Sequence, residues 1–293
     1  MSCFDPQPNA IRRHYKTIVI SDVHLGTAGC KAKEIVRFLK HNTCDTLVMN
    51  GDIIDAWELK NYGKWKVAHT RFFKVVIKMM EEFNTKVIYL HGNHDDFLDN
   101  ILPIQIGNLS IQMDYIHESF GKRYYIVHGD IFDSVTSHMK WVAKLGSIGY
   151  TFLLWLNKGF NAIRRLFGKP PYSFSQYIKS KVKSAVSPVA VYERQLTELA
   201  GIKNCTAILC GHTHKPAIKQ IDEILYMNSG DWVESMTALT EDFNGNWQLI
   251  HYKDLPEATR NLSLTMEQAL DEEAEIDKME AFYFANIFAT KMV

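Results

Sequence analysis

The chain has 293 residues, 46% apolar and 23% charged. That is ordinary globular composition, with length enough to bury a core without staples, and it excludes a disordered chain, a collagen-like chain and a polytopic membrane protein. Thirty-three basic residues balance 33 acidic ones, so the total charge offers no steering toward a polyanion.

The balance is uneven along the chain. No Asp or Glu occurs from Ser134 through Tyr192, where nine Lys and Arg side chains accumulate; the remainder is −9. Such an island reads either as a solvated helical face or as a surface that meets phosphate, nucleic acid or anionic lipid.

The start, Met1 to Tyr15, contains Asp5, two prolines and no apolar run, so it does not read as a secretory signal. Cys3, Cys30, Cys44, Cys205 and Cys210 are odd in number and irregular in spacing. They form neither a zinc pattern nor a disulfide framework, and a reducing cytoplasm is the expectation.

Short apolar runs then recur, each stopped by a polar loop: Thr17–Ile20, Thr46–Met49, Lys86–Leu90, Arg123–Val127, Ala207–Leu209 and Ile224–Met227. Runs of this length read as buried strands. Helical periodicity appears at Lys31–His41 and Thr70–Phe83, and strands alternating with helices predict an α/β domain. No GxGxxG follows a strand, so a dinucleotide site has no support.

The basic island breaks this rhythm. Trp141, Leu145, Ile148, Phe152, Trp155, Ile163 and Phe167 recur mostly at three- and four-residue steps, the spacing of helices. Residues 134–199 therefore read as an inserted basic, apolar helical subdomain between two parts of one discontinuous domain, 1–133 and 200–256. Its longest apolar stretch, Leu145 to Leu156, is too short to span a membrane. The acidic tail, 257–293, reads as a helix packing on the body or on a partner.

The chemistry-bearing residues cluster in the loops that follow the strand-like runs. These loops read Ser21-Asp22-Val23-His24, Asn50-Gly51-Asp52-Ile53-Ile54-Asp55, His91-Gly92-Asn93-His94-Asp95, His128-Gly129-Asp130 and Gly211-His212-Thr213-His214. In open α/β sheets, ligand sites form at the carboxyl ends of strands, so five such loops can converge. Carboxylate, imidazole and amide together make a mixed N/O donor set. That set suits divalent manganese, iron or zinc better than magnesium or calcium. A single loop of this kind is commonplace; five in order are not.

The conjunction DxH, GDxxD, GNHD, HGD and GHxH resembles the calcineurin-like metallophosphoesterases, with no ligand position missing between Lys16 and Tyr252. The resemblance implies an α/β, four-layer α-β-β-α sandwich holding two divalent metals, Mn2+ foremost. It implies that Asp22, His24, Asp52 and His214 bind one metal and that Asp52, Asn93, His128 and His212 bind the other. On two-metal logic a bridging water is activated and the phosphoryl oxygens are stabilised. Asn93 and His94 become transition-state donors, with His94 as general acid and Asp55 or Asp95 orienting an imidazole.

Within the superfamily, protein phosphatases carry an Arg in the GDxVDRG motif, and this chain has Gly51-Asp52-Ile53-Ile54-Asp55-Ala56-Trp57 instead. That segment, Asp95-Asp96-Phe97-Leu98, Gly211-His212-Thr213-His214-Lys215-Pro216-Ala217, Gly230-Asp231-Trp232-Val233-Glu234-Ser235 and the position of the insertion look like the UDP-2,3-diacylglucosamine diphosphatases of lipid A synthesis. The chain departs from well-studied members at His94, where they carry Arg.

The resemblance implies cleavage of a lipid-linked nucleotide sugar to a lipid monophosphate and UMP at the cytoplasmic face of the inner membrane. The insertion, 134–199, would then be a helical lid that meets acyl chains and anionic headgroups, and Lys179, Lys181 and Lys183 are candidate substrate contacts. Two other readings stay open. One is a broader phosphodiesterase or nuclease on the same site, and the other is a membrane-surface scaffold.

Overall fold

The computed structural model describes residues 12–95, 97, 98, 102–132 and 188–260. The chain divides into two compact units, Met1–Asp130 with Ala200–Val293, and Ile131–Leu199. Most of the predicted lid (134–187) lies outside the described residues, as do Lys179, Lys181 and Lys183 and most of the acidic tail.

In chain order the described elements begin with β1 (Arg13–Ile20), α1 (Ala32–His41), β2 (Asn42–Asn50), α2 (Ala56–Asn61), α3 (Val67–Phe83) and β3 (Lys86–Leu90). The strands β4 (Ile104–Ile106), β5 (Leu109–Gln112), β6 (Asp114–Ser119) and β7 (Lys122–Val127) follow. After α4 (Pro188–Ile202) come β8 (Ala207–Cys210), β9 (Ala217–Ile221), β10 (Ile224–Asn228), β11 (Thr237–Glu241), β12 (Trp247–His251) and the single turn α5 (Glu257–Arg260). The helix α4 overlaps the end of the predicted insertion and runs past it.

Two mixed sheets form, ordered β12-β11-β1-β2-β3-β5-β4 and β6-β7-β8-β10-β9. The strands β1, β2 and β3 are parallel neighbours in the first sheet, and β7, β8 and β10 in the second. The apolar runs are continuous because the central strands are buried on both faces. One face of the first sheet (Ile18, Ile20, Leu47, Met49, Val87, Tyr89) packs with Ile35, Phe38 and Leu39 of α1 and Phe72, Val75 and Met79 of α3. The alternate residues Val19, Val48, Ile88 and Leu90 meet Tyr124, Ile126, Leu209 and Met227 of the second sheet. A two-residue side-chain period thus builds two apolar layers from one set of strands. This is an α/β sandwich of stacked sheets with helices on the first one.

A polar knot sits in this seam. Glu241 of β11 is wholly buried. It accepts hydrogen bonds from Thr17 Oγ1 (2.8 Å) and Ser119 Oγ and lies 2.8 Å from His117 Nε2. Burial raises its carboxyl, but hydrogen bonds from His117, Ser119 and Thr17 outweigh burial and hold it below its ordinary value. Its stabilisation is therefore complete above the unfolded-state value, about 4.3, and is lost as pH falls through the lower folded one.

Glu241→Ala strands these donors, at roughly 1–3 kcal/mol each. The expected result is a lower melting temperature at pH 7 and a shallower acid-side decline than wild type, measured by calorimetry between pH 3 and 7. Parallel declines would show that the knot is not coupled to pH.

Candidate metal centre

Five of the parallel strands deliver polar loops at their carboxyl ends. Asp22 and His24 follow β1, Asp52 and Asp55 follow β2, and Asn93 and His94 follow β3. His128 follows β7, and His212 and His214 follow β8. Backbone hydrogen bonds splice the first two loops: Asp22 N–H donates to Gly51 O (3.1 Å), His24 N–H to Asp52 O (2.9 Å) and Asp55 N–H to Leu25 O (2.9 Å).

Five of these residues adopt left-handed backbone: Asp22 (φ 51°), His24 (50°), Asp52 (53°), His212 (61°) and His214 (54°). Asp and His tolerate that region better than most residues, yet each instance costs about 1–3 kcal/mol and persists only where neighbours over-determine it. Among the described residues, five of the ten non-glycine positions with positive φ fall in this one group of loops, a clustering typical of functional sites. The glycines beside them are set by close approach. A Cβ on Gly51 would strike the His128 ring, and one on Gly92 would strike the amide nitrogen and carboxylate of Asp52.

Two ligand-type groupings result, Asp22 with His24 and His214, and Asp52 with His128 and His212, each with its donor atoms within 4.8 Å of one another. Asp52 stands between them, its Oδ2 3.3 Å from His128 Nε2 and 3.9 Å from His24 Nε2. His214 Nε2 is 3.2 Å from Asp22 Oδ1 and 3.4 Å from His24 Nε2. Asp22 also accepts the His212 backbone N–H on both oxygens (3.1 and 3.0 Å), and Asp52 Oδ1 accepts that of His94 (2.9 Å). Asn93 is exposed on the same loop as His94.

A third grouping, His24, Asp55 and His94, has a different character. Asp55 Oδ2 lies 3.2 Å from His24 Nδ1 and 2.9 Å from His94 Nδ1, while Oδ1 caps α2 through Glu58 N–H (2.8 Å). Asp55 thereby orients two imidazoles and leaves their Nε2 atoms for other work. His128 Nδ1 does the same by donating to Asn50 O (2.9 Å). Its Nε2 is buried, makes no hydrogen bond and faces Asp52. An orphaned imidazole nitrogen beside a carboxylate suits a divalent cation.

The protonation pattern points the same way. Burial opposes charge at Asp52 and His128, but the close approach and attraction between them prevail. Asp52 is held well below the carboxylate range and His128 is raised to about 10. Burial likewise opposes ionisation of Asp55, and the hydrogen bond from His24 and the close approach of His94 overcome it and depress its carboxyl. His94 is raised, chiefly by the Asp55 carboxylate 2.9 Å from its Nδ1 and against burial. His214 is raised by its hydrogen bond to Asp22. Protonation is thus favoured in places that a divalent cation suits, and cation uptake would compete with it.

Asp95 differs from Asp55. It is wholly buried and touches backbone rather than imidazole: Oδ2 accepts Ile53 N–H (3.1 Å), and Oδ1 accepts Ile54 N–H (2.9 Å) and the Tyr89 hydroxyl (3.0 Å). Burial and the Asp52 charge push its carboxyl up to about 7. Its hold on the segment between Asp52 and Asp55 is a brace that spacing alone does not reveal.

The segment after β10 was visible in sequence without a role. In the structure Trp232 N–H donates to Asp22 O (3.0 Å), Ser21 Oγ to Gly230 O (2.9 Å), and Asp231 accepts N–H groups from Val233 (2.8 Å) and Ser235 (3.2 Å). Trp232, wholly buried, packs on Phe38 with ring centroids 5.3 Å apart. The loop is a buttress behind Asp22.

Curated relatives include UDP-2,3-diacylglucosamine hydrolases. That of Shewanella halifaxensis is 25% identical over 240 residues, 78% of this chain and 95% of its own. That of Shewanella oneidensis is 26% identical over 253 residues, 82% of this chain and 98% of its own. The solved structure of Yfce, a phosphoesterase from E. coli, is 15% identical and aligns with 80% of this chain and 98% of its own at a TM-score of 0.38. The fold assignment rests on the two sheets above and not on that overlay. The family model for the calcineurin-like phosphoesterases matches residues 15–216, from β1 through the loop that carries His214, and the chain belongs to that family.

Proposed function

We propose that Asp22, His24, Asp52 and His214 hold one divalent metal, that Asp52, Asn93, His128 and His212 hold a second, and that Mn2+ is the native ion. The observation that carries this reading is the position of Asp52, whose Oδ2 faces imidazoles of both groupings at 3.3 and 3.9 Å. Two such ions supply Lewis acidity to phosphoryl oxygens and lower the pKa of water. The protein's own part is to orient and to move a proton. His94, with Nδ1 fixed on Asp55 at 2.9 Å and its ring partly exposed, presents Nε2 as the donor to a leaving oxygen.

The substrate in this reading is UDP-2,3-diacylglucosamine, cleaved at its pyrophosphate to a lipid monophosphate and UMP. Relatives of that name at about 25% identity over most of the chain support it. So do the absence of the protein-phosphatase Arg after Asp55 and the run of cations without acidic residues at 134–192. Trp141, Leu145, Phe152 and Trp155 would meet acyl chains while neighbouring cations meet anionic lipid, each worth about 1 kcal/mol near the surface. The protein would then work at the cytoplasmic face of the inner membrane. Among the described residues no helix is long and apolar enough to cross a membrane.

Purified protein with Mn2+ should release UMP from the diacylated nucleotide sugar and leave single-stranded DNA and a generic aryl phosphodiester nearly untouched. Equal turnover of non-acylated UDP-N-acetylglucosamine would overturn acyl recognition. Efficient cleavage of DNA would favour the nuclease reading.

A further inference from the structure

Asn228, the last residue of β10, is wholly buried and belongs to none of the ligand groupings. Its neighbours explain why an amide is placed there. Thr213 N–H donates to Gly211 O at 2.7 Å. That bond closes a three-residue turn with His212 at its apex, at φ 61°. Turns of this size with a positive apex φ are rare and strained. The Asn228 side chain clips both ends of the turn: Nδ2 donates to Gly211 O (2.8 Å) and to Thr213 Oγ1 (3.1 Å). Its Oδ1 accepts Gly230 N–H at 2.8 Å, which fixes the amide orientation, because a flipped amide would set N–H against N–H.

The other side of the turn is held by the Asp22 carboxylate, through the His212 N–H, and by the Gly211 N–H to His128 O (3.0 Å). Gly230 in turn is gripped by Ser21 of the Asp22 loop. One buried amide therefore links the loop bearing His212 and His214 to the loop bearing Asp22 and His24.

We propose that Asn228 is a positioning residue that holds the Gly211–Thr213 turn closed, and with it the imidazole of His212 in the Asp52–His128–His212 grouping. Neither Asp, which lacks the donor, nor Gln, whose reach is longer, reproduces the three bonds. The inference rests on the metal reading above. It predicts that loss of the clip weakens cation binding before it weakens the fold, because the sheets do not depend on the turn.

The test is titration of metal-stripped protein with Mn2+, followed by electron paramagnetic resonance, beside far-UV circular dichroism. Asn228→Ala and Asn228→Asp should raise the Mn2+ dissociation constant roughly 10–100-fold, the range for groups that orient metal ligands. Thr213→Val, which removes one leg of the clip, should raise it several-fold with unchanged dichroism. Wild-type affinity in Thr213→Val and in any folded Asn228 variant would overturn the proposal, and if neither Asn228 variant folds, wild-type affinity in Thr213→Val alone overturns it. Failure of the wild-type chain itself to bind Mn2+ would instead sink the metal reading, and the two failures are thereby distinct.

Discussion

Replacing Asp52 by alanine should lower turnover roughly 10⁴-fold or more, because groups that act as a unit lose most of their effect when one is removed. The carboxylate does three things at once. It faces His128 at 3.3 Å and His24 at 3.9 Å, and it takes the His94 backbone N–H at 2.9 Å. Its loss deprives both groupings of their shared anion and leaves His128, buried and raised to about 10 chiefly by that anion, with only the charges of Asp22 and Asp130 to oppose burial. The His128 pKa should drop steeply, as histidine NMR titration of the metal-stripped protein would show. Bound Mn2+ should fall below two equivalents while the far-UV spectrum persists. Turnover within tenfold of wild type with both ions retained would contradict the proposed centre.

The second large effect is expected at His94. Its Nδ1 lies 2.9 Å from Asp55 Oδ2, and that carboxylate raises its pKa, which favours a proton on the ring for Nε2 to deliver. If that proton goes to the leaving oxygen, His94→Ala should cost about 10²–10⁴-fold on a substrate with a basic leaving group. A nitrophenyl ester, whose leaving oxygen needs no proton, should lose far less. Measuring kcat for both esters in wild type and variant separates the roles. An equal loss on both would assign His94 to electrostatic stabilisation instead of proton transfer.

Much of this centre was legible before the structure. The strands that end in ligand loops are buried on both faces, so they appear as unbroken apolar runs. Both long crossover helices carry apolar residues at the helical period. The five loops announce themselves because ligating side chains must follow such strands.

Less was legible where burial is partial or polar. The strands β4, β5, β6 and β9 are half-exposed and show no clean alternation. The strand β11 is buried throughout yet reads Thr-Ala-Leu-Thr-Glu. Its Glu is tolerated because Thr17, His117 and Ser119 reach it from strands more than a hundred residues away in sequence. Asp55 and Asp95 look alike in the chain, each a carboxylate next to a ligand loop. One serves imidazoles and the other backbone, a difference set by which way two turns face. Asn228 had no signal of its own, since an amide closing a strand is unremarkable until the turn opposite it is seen.

The ligand loops come from two different sheets, and the residues that touch across the centre, such as Asp22 and His212, are 190 positions apart. The entropy of closing loops rises with their length, and distant pairings form late in folding. The most local chemistry of the molecule thus depends on its least local contacts. A chain still emerging from synthesis, or opened at the seam between the sheets, has its carboxylates and imidazoles scattered. It is hydrolytically silent until the last sheet contacts are made, so activity appears all at once and never in a partly folded form.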